Sequence, residues 1–587
     1  MQRLSFNVRA VLAIVAAAII FAIPAFGQFR AGIQGTVTDT NGALVPGAKV
    51  SLKNNETGRS LETVTTDAGF YSFSTLSPGL YTITVTAGSA FKKAVVQNVR
   101  VRAETIEGVN ITVEPGGIAE TVTVQAENEG LATEDSNIRK VISTEEVLRL
   151  PQVGRDPYEL ARLAPGVFGA GARNASGGSV SFPNTSGPGG SNSSIFQTEN
   201  QVPITANGQR LSSNNFQIDG TSVNSQTWGG AAVITPSQES VKEVQVLTST
   251  YSAEDGRNSG IQLKVVSQNG TNQWHASAFF KLNDPLLNAF NTMPIRVGGV
   301  STQGSQRVEQ KYKSYGGSIG GRIIRDKLFF FFSYEGLNNK TSNTRNTFVE
   351  TAQFRQSVIS ARPNTVTQRI LSAAGIEPRI AQILAPTCAG IFSNCAIVGN
   401  GIDIGSITGT YGNYVPTFST NPNGGGLDGV ADLQWVQLTL PTSFRGNQYF
   451  TRIDYNITAK DNLAVTTYIT PVAFKGSDAS AQSRPMADIK SKRLNYLVGV
   501  IYNRTISSRM VNEVRFNMTR WGIQELDANP DARFDLPRVE IEGIFSDRLR
   551  FGPPWGLNTP ADILERQLDF RDHLTWVRGN HALKFGG

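Results

Sequence analysis

Cysteine and histidine are nearly absent from this chain: two Cys and three His in 587 residues. His275, His573 and His581 form no ligand-spaced set with Cys388 and Cys395, so no metal site and no cofactor is expected. Charge is also sparse, at 17% of residues, and the net +7 forms no long basic run, which argues against a nucleic-acid partner. After the first two dozen residues there is no apolar run long enough for a helical span, so any later membrane crossing must use β-strands. No nucleophile elbow, zincin motif or placeable Ser, His and Asp set occurs, and a secreted hydrolase fails on that ground. The chain reads as a non-enzyme.

What is present points to β-structure. Glycine is abundant at 58 residues and aromatic residues make up 9%, a mixture that suits turn-rich strands better than helices. The length implies several domains or one very large barrel. Arg3 and Arg9 precede an apolar run from Ala10 to Ile23 and then Pro24-Ala25-Phe26-Gly27. That order is a secretory signal peptide, residues 1–27, and the alternative of an anchoring helix is disfavoured by the short run. In an exported chain Cys388 and Cys395 become a candidate disulfide.

Between Gly35 and Val85 apolar and polar residues alternate between turn signals, notably Pro46-Gly47, Thr57-Gly58, Asp67-Ala68-Gly69 and Pro78-Gly79 before Leu80-Tyr81-Thr82-Ile83-Thr84-Val85. A sandwich of about seven short strands fits this spacing. These residues resemble the carboxypeptidase regulatory-like family, which implies a transthyretin-like, carbohydrate-binding-like β-sandwich over residues 28–115. The resemblance implies no peptidase activity. Sugar binding and partner docking both remain open for it.

Glu120-Thr121-Val122-Thr123-Val124 follows the Pro115-Gly116-Gly117 breaker and is β-prone. Two readings stand side by side: the last strand of the sandwich, or a segment, 116–127, that resembles the TonB box of TonB-dependent receptors, which in that family pairs by strand addition with the periplasmic TonB complex. Next, Ile142 to Leu163 carries helix signals, with a capping box at Ser143-Thr144-Glu145-Glu146. Asn207-Gly208 and Asp219-Gly220 are tight-turn signals beside short strands, and Ser240 to Val246 alternates as a strand. Gly256-Arg257 then precedes Ile261 to Ser267. An oxyanion or phosphate reading of Gly256-Arg257 is weaker than a turn with a plug-to-barrel ion pair. In this order the residues resemble the plug domain of TonB-dependent receptors, especially the Oar-like group, which implies an α+β plug over residues 128–270.

Residues 271–587 read as barrel strands: a first strand at Trp274 to Phe280, then hairpins turning at Arg325-Asp326-Lys327, Thr458 to Asn462, Ile506 to Arg509 and Arg578-Gly579-Asn580. In Tyr449 to Asn456 one face is Tyr449, Thr451, Ile453 and Tyr455 and the other is Phe450, Arg452, Asp454 and Asn456, as expected between lipid and a wet lumen. Asn338 to Phe444 reads as a long extracellular loop holding both cysteines. About eight or nine strands are countable, whereas the resembled family closes an antiparallel transmembrane barrel of 22, so the sequence reads as C-terminally incomplete. The resemblance implies import of a saccharide or metal chelate through the outer membrane. The alternative is an Oar-like adhesion or secretion-related barrel.

Overall fold

The computed structural model of the protein describes residues 31–587 except 126–137, 170–194, 252–257, 288–294, 303–309, 408–426, 525–534, 554–561 and scattered stretches of one to three residues. The signal-peptide reading, residues 1–27, therefore lies outside the described residues.

The first domain is a two-sheet sandwich. Its strands are β1 (Gly32–Asp39), β2 (Lys49–Asn54), β3 (Ser60–Val64), β4 (Phe70–Phe73), β5 (Gly79–Thr86), β6 (Lys93–Val101), β7 (Ile106–Gly108), β8 (Ile111–Val113) and β9 (Thr121–Gln125). One sheet runs β4-β1-β7 with β8 also on β1, and the other runs β3-β2-β5-β6-β9. The alternating residues of each strand meet in one core, with Ile33, Val37, Val50, Leu52, Ile83 and Val85 at 0% exposure. Tyr81 is buried in that core and its hydroxyl donates to the Ser77 carbonyl at 2.8 Å, which ties the Pro78-Gly79 turn to the strand after it. Gly35 sits where β1 changes partner from β7 to β8; a Cβ there would lie 1.9 Å from the Val109 carbonyl oxygen, so only glycine allows the switch. The sheet does not end at Pro115. Thr121–Gln125 joins it as a parallel edge strand on β6, in unbroken register from Lys93↔Thr121 to Gln97↔Gln125.

The second domain, residues 138–270, is built on a five-stranded mixed sheet. Its elements are β10 (Ile138–Ser143), α1 (Thr144–Arg149), β11 (Val167–Gly169), β12 (Ile204–Ala206), β13 (Asn215–Ile218), β14 (Thr221–Ser222), β15 (Val241–Ser249) and β16 (Gln262–Ser267). The sheet order is β10-β15-β16-β13-β14. The Ser143–Glu146 capping box forms in both directions, but the helix is shorter than the sequence pattern suggested. Leu150 is extended because it precedes Pro151, and the chain resumes only as a 3-10 segment at Pro157–Leu163. All six residues of β16 are buried, polar Gln262 and Lys264 included, because both faces of this sheet are covered.

The third part is an antiparallel wall. Its elements are β17 (His275–Asn283), β18 (Ile295–Val297), β19 (Val300–Thr302), β20 (Gln310–Ile324), β21 (Leu328–Glu350), β22 (Ile380–Ile383), β23 (Ser393–Val398), β24 (Gly401–Ile407), β25 (Leu433–Asn456), β26 (Asp461–Gly476), β27 (Ile489–Ser507), β28 (Met510–Gln524), β29 (Val539–Ile541), β30 (Leu549–Phe551), β31 (Asp562–Arg578) and β32 (His581–Gly586). The wall runs β17-β20-β21-β25-β26-β27-β28-β31-β32, nine neighbours with β22, β23 and β24 attached beside β25, while β18-β19 and β29-β30 form two-stranded pairs apart from it. Phe280, Ile319, Ile453, Phe516, Leu568 and Phe570 are exposed on its outer face. Phe450, Arg452, Tyr468, Arg515 and Asn517 are buried on its inner face, against the second domain. That division is the one expected of a lipid-facing sheet around a polar interior.

The long excursion starts later than the sequence suggested. β21 and β25 stay paired from Leu328↔Tyr455 to Glu350↔Leu433, so the loop between them is 351–432. A strand of 23 residues at about 3.3 Å rise spans roughly 75 Å, far beyond an apolar band of about 25 Å, so its distal half stands outside the membrane. Cys388 and Cys395 are disulfide-bonded in that loop. Peptide mapping without reductant is expected to yield the linked pair, and Cys388→Ser with Cys395→Ser is expected to destabilise the cap that residues 351–432 help to form over the outer end of the wall by about 2 kcal/mol through the small loop it opens. Free thiols in the native protein contradict this.

Candidate functional site

The contact between the wall and the domain behind it, which we call the inner domain, is organised by the Asp219-Gly220 turn. Asp219 has φ +47° and Gly220 φ +73°, the pair of positive angles that a two-residue hairpin between β13 and β14 requires. The turn is thereby pushed against the wall. The Asp219 carboxylate accepts from the Ser267 amide at 2.9 Å, the Ser267 hydroxyl at 2.5 Å and the Thr466 hydroxyl at 3.1 Å. Arg452 Nη1 stands 3.5 Å from the same carboxylate and donates to Ser267 Oγ at 3.0 Å, while its Nε and Nη2 each reach Asp454 at 2.9 Å. Arg452 and Asp219 are each 3% exposed, so this bridge between domains is held out of water. Arg515 lies directly over Gly220, where a Cβ would fall 1.2 Å from Nη1. Thr221 donates to Asn517 at 2.7 Å, fixing the turn to β28 as well as to β25 and β26.

A second contact sits at Arg155, itself at φ +56°. Its Nε donates to Glu335 of β21 at 3.2 Å, its Nη2 lies 3.5 Å from Glu239 of the inner domain, and its guanidinium stacks 3.7 Å over the ring of Phe279. Further polar contacts fill the remaining span: Gln448 accepts from the Ser237 amide and donates to the Thr235 carbonyl, both at 2.8 Å, and Asn495 donates to the Val233 carbonyl at 2.7 Å. Beside Arg155, Asp156 caps the 3-10 segment by accepting from the Tyr158 amide at 2.9 Å and from Asn200 at 2.5 Å. Burial pushes its carboxyl up to about 7, with Glu159 adding to the shift.

The sandwich meets this assembly on the side of the short turns. Gly58 packs against Asp326 of the 325–327 turn, Asn272 donates its amide to the Glu56 carbonyl at 2.9 Å, and Lys242 reaches Glu56 at 3.1 Å. Two residues beyond β6, the Ala103 amide donates to Glu243 of β15 at 2.6 Å, and Gln245 donates to the Ala103 carbonyl. Burial raises the Glu243 carboxyl above its ordinary value.

The residues singled out in the sequence fall in different places. Asp219 and Gly220 are at the wall contact. Asn207 and Gly208, at φ +52° and +73°, form the turn after β12, where the Asn207 amide donates to the Thr248 carbonyl at 2.7 Å inside the inner domain. Gly256 and Arg257 lie outside the described residues. Glu120 leads into β9, salt-bridged to Lys92 at 3.3 Å, with Thr121, Val122, Thr123 and Val124 in the strand itself. No group of three or more His, Cys, Asp or Glu among the described residues is placed to hold a metal. Arg155, Glu335, Arg452 and Arg515 carry the wall contact without having been marked as site residues in the sequence. Their signal was a charged residue in the inward register of a barrel strand, or one next to a non-glycine turn.

Residues 266–587 match the family model described as outer membrane beta barrel domain. The chain belongs to that family. Residues 32–114 match the carboxypeptidase regulatory-like domain. Among curated relatives, the TonB-dependent transporter Oar of Myxococcus xanthus is 27% identical over 345 residues, which are 57% of this chain and 29% of that protein. The match therefore spans less than a third of that relative's length. Among solved structures, the siderophore receptor PirA from Acinetobacter baumannii is 13% identical with a TM-score of 0.39, covering 76% of this chain and 47% of its own. The outer membrane transporter YddB from Escherichia coli is 11% identical with a TM-score of 0.41, covering 77% and 47%. Membership in the outer membrane beta barrel family places the chain in the outer membrane.

For this barrel protein Arg452→Ala leaves two carboxylates without their buried cation and is expected to weaken seating of the inner domain by about 3–5 kcal/mol. Limited proteolysis of the inner domain in purified protein reads this; unchanged protection contradicts it. The Asp156 carboxyl supplies a pH dependence of known sign. Its pKa is 3.8 in an unfolded chain and about 7 when buried, so across that window the folded state holds a proton that the unfolded state has released. Stability of the inner domain is expected to fall as pH rises from about 4 to about 7, and Asp156→Asn to reduce that slope in denaturant titrations repeated across the range.

Proposed function

We propose that this protein is a TonB-dependent outer-membrane importer in which the inner domain is the plug of a barrel that closes, as the resemblance implies, at 22 strands. The observation that carries the reading is the contact between the inner domain and the wall. Beside an apolar patch, it holds a set of hydrogen bonds and ion pairs around Asp219, Arg452 and Arg155, contacts that water can replace when the two bodies separate. The likeness to a protein named as a TonB-dependent transporter supports the same reading.

In this reading the signal peptide, residues 1–27, exports the chain. The sandwich and the short turns face the periplasm, and the disulfide-bearing cap faces outward. Ligand, a saccharide or a metal chelate, is taken at the cap and the upper face of the plug. The periplasmic TonB complex engages residues 120–124 and pulls, which loosens the plug from β25 and β28. Neither a cofactor nor nucleic acid enters the cycle.

Deleting Glu120 to Val124 is expected to abolish uptake of fluorescent saccharides or ferric chelates while leaving their binding at the cell surface unchanged. Uptake that persists at the wild-type rate refutes energised import and favours the adhesion or secretion alternative.

A further inference from the structure

Four of the five residues proposed as the handle, Thr121 to Val124, are already in a strand. β9 lies parallel on β6, and the Lys93 amide donates to the Glu120 carbonyl at 2.9 Å at the start of the pair. In a parallel ladder that bond sets the alternation: the backbone groups of 122 and 124 turn towards β6, and those of 121, 123 and 125 turn away. Among the described residues no strand occupies the outward edge.

Exposed edges are normally blunted by charge, proline or a bulge, because an open row of amides and carbonyls recruits other chains. The far edge of the same sheet follows the rule: β3 carries Glu62, bonded to Lys49 at 2.8 Å. β9 does not. Thr121-Val122-Thr123-Val124-Gln125 has no charge, no proline and no register shift. An unguarded edge is suited to receiving a strand. The same sheet is also tied to the inner domain, since β6 runs on to Ala103, whose amide and carbonyl are both held by β15 through Glu243 and Gln245.

We propose that the sandwich is a force-transmitting platform: residues 121–125 stay on β6, an extended segment of TonB adds to the outward edge of β9, and the pull reaches β15 through β6 and Ala103 as well as along residues 126–137. The proposal rests on the import reading. It differs from simple release, in which the handle leaves the sandwich before it is engaged. Holding the segment extended removes the ordering cost that a free peptide pays on strand addition.

The test uses the full chain and the immobilised periplasmic domain of TonB. Val95→Cys with Thr123→Cys places thiols at paired positions of β6 and β9. Oxidation is expected to crosslink them, and the crosslinked protein is expected to be captured as strongly as the reduced one; wild type, with its own Cys388–Cys395 bridge, controls for the reductant. Thr123→Pro removes an outward donor without taking a bond from β6 and is expected to abolish capture. Failure to crosslink overturns the docked strand. Capture lost on oxidation and regained on reduction overturns the platform while leaving import standing. No capture of wild type overturns both. A dimer joined through β9 that excludes TonB overturns the choice of partner. In single-molecule pulling through the captured TonB domain, Glu243→Ala with Gln245→Ala is expected to change the force at which the inner domain opens; an unchanged trace refutes the second route.

Discussion

Arg452 is a cation kept out of water between two carboxylates that belong to different bodies, Asp219 of the inner domain and Asp454 of its own strand. Such a residue has a fixed position because every alternative leaves a charge buried and unpaired. The turn at 219–220, the glycine that lets Arg515 close over it, and the Ser267 amide and hydroxyl that complete the carboxylate's shell all follow from that one placement. The apolar part of the same contact is mostly aromatic and buried. Phe331, Phe450, Tyr468, Leu497 and Trp521 of the wall join the buried cluster formed by the inner domain's own sheet. Apolar contact and ion pairs share the seat, and the ion pairs also give it a register.

Outside the membrane the wall applies the same device to a different end. Glu350, at the last residue of β21, is paired with Arg484 through two contacts of 2.8 and 2.7 Å, and both side chains are 0% exposed. Arg355 adds a third contact at 3.1 Å, and the Arg484 guanidinium lies 4.5 Å from the ring centre of Phe551. Three loops are gathered on one charge pair, and a hydrophobic cluster from Phe348 to Phe551 fills in beneath them. A cap built in this way has a definite shape. Loops held only by backbone turns would not keep a binding surface in place.

Much of this architecture was legible in the sequence. The hairpin turns at 325–327 and 457–460 fall between the strands that alternation marked, since a lipid-facing strand must alternate to have two solvents. The Asn-Gly and Asp-Gly turns were legible for a local reason, the positive φ that few residues accept. Three features were not. The helix signal at 142–163 ran past Pro151, which the periodic pattern does not weigh. The strands β21 and β25 continued through polar residues such as Asn343, Thr344 and Asn346, because above the membrane both faces meet water or the cap and alternation disappears. The partners of Asp219 on the wall lie more than two hundred residues away, at Arg452 and Thr466, and no local pattern encodes that distance.

Thr121–Gln125 shows why a short β-prone run resists assignment from sequence. Such a run has the composition of a sandwich strand and of a segment meant for another chain, because strand addition asks the same of both: extended backbone, β-branched residues and no proline. The structure makes the two readings compatible, since a strand has two edges and β6 uses one. What decides between a closed edge and an open one is the treatment of its outer side, and here that side is bare where β3 is charged. The sandwich does not hang loosely from the rest, either. Val266 at the end of β16 is buried in the sandwich's own core cluster, and Glu243 and Gln245 grip Ala103 from the next strand. A displacement of the sandwich must therefore either break a buried carboxylate contact or move β15 and β16 with it, and those two strands are the centre of the sheet that carries Asp219.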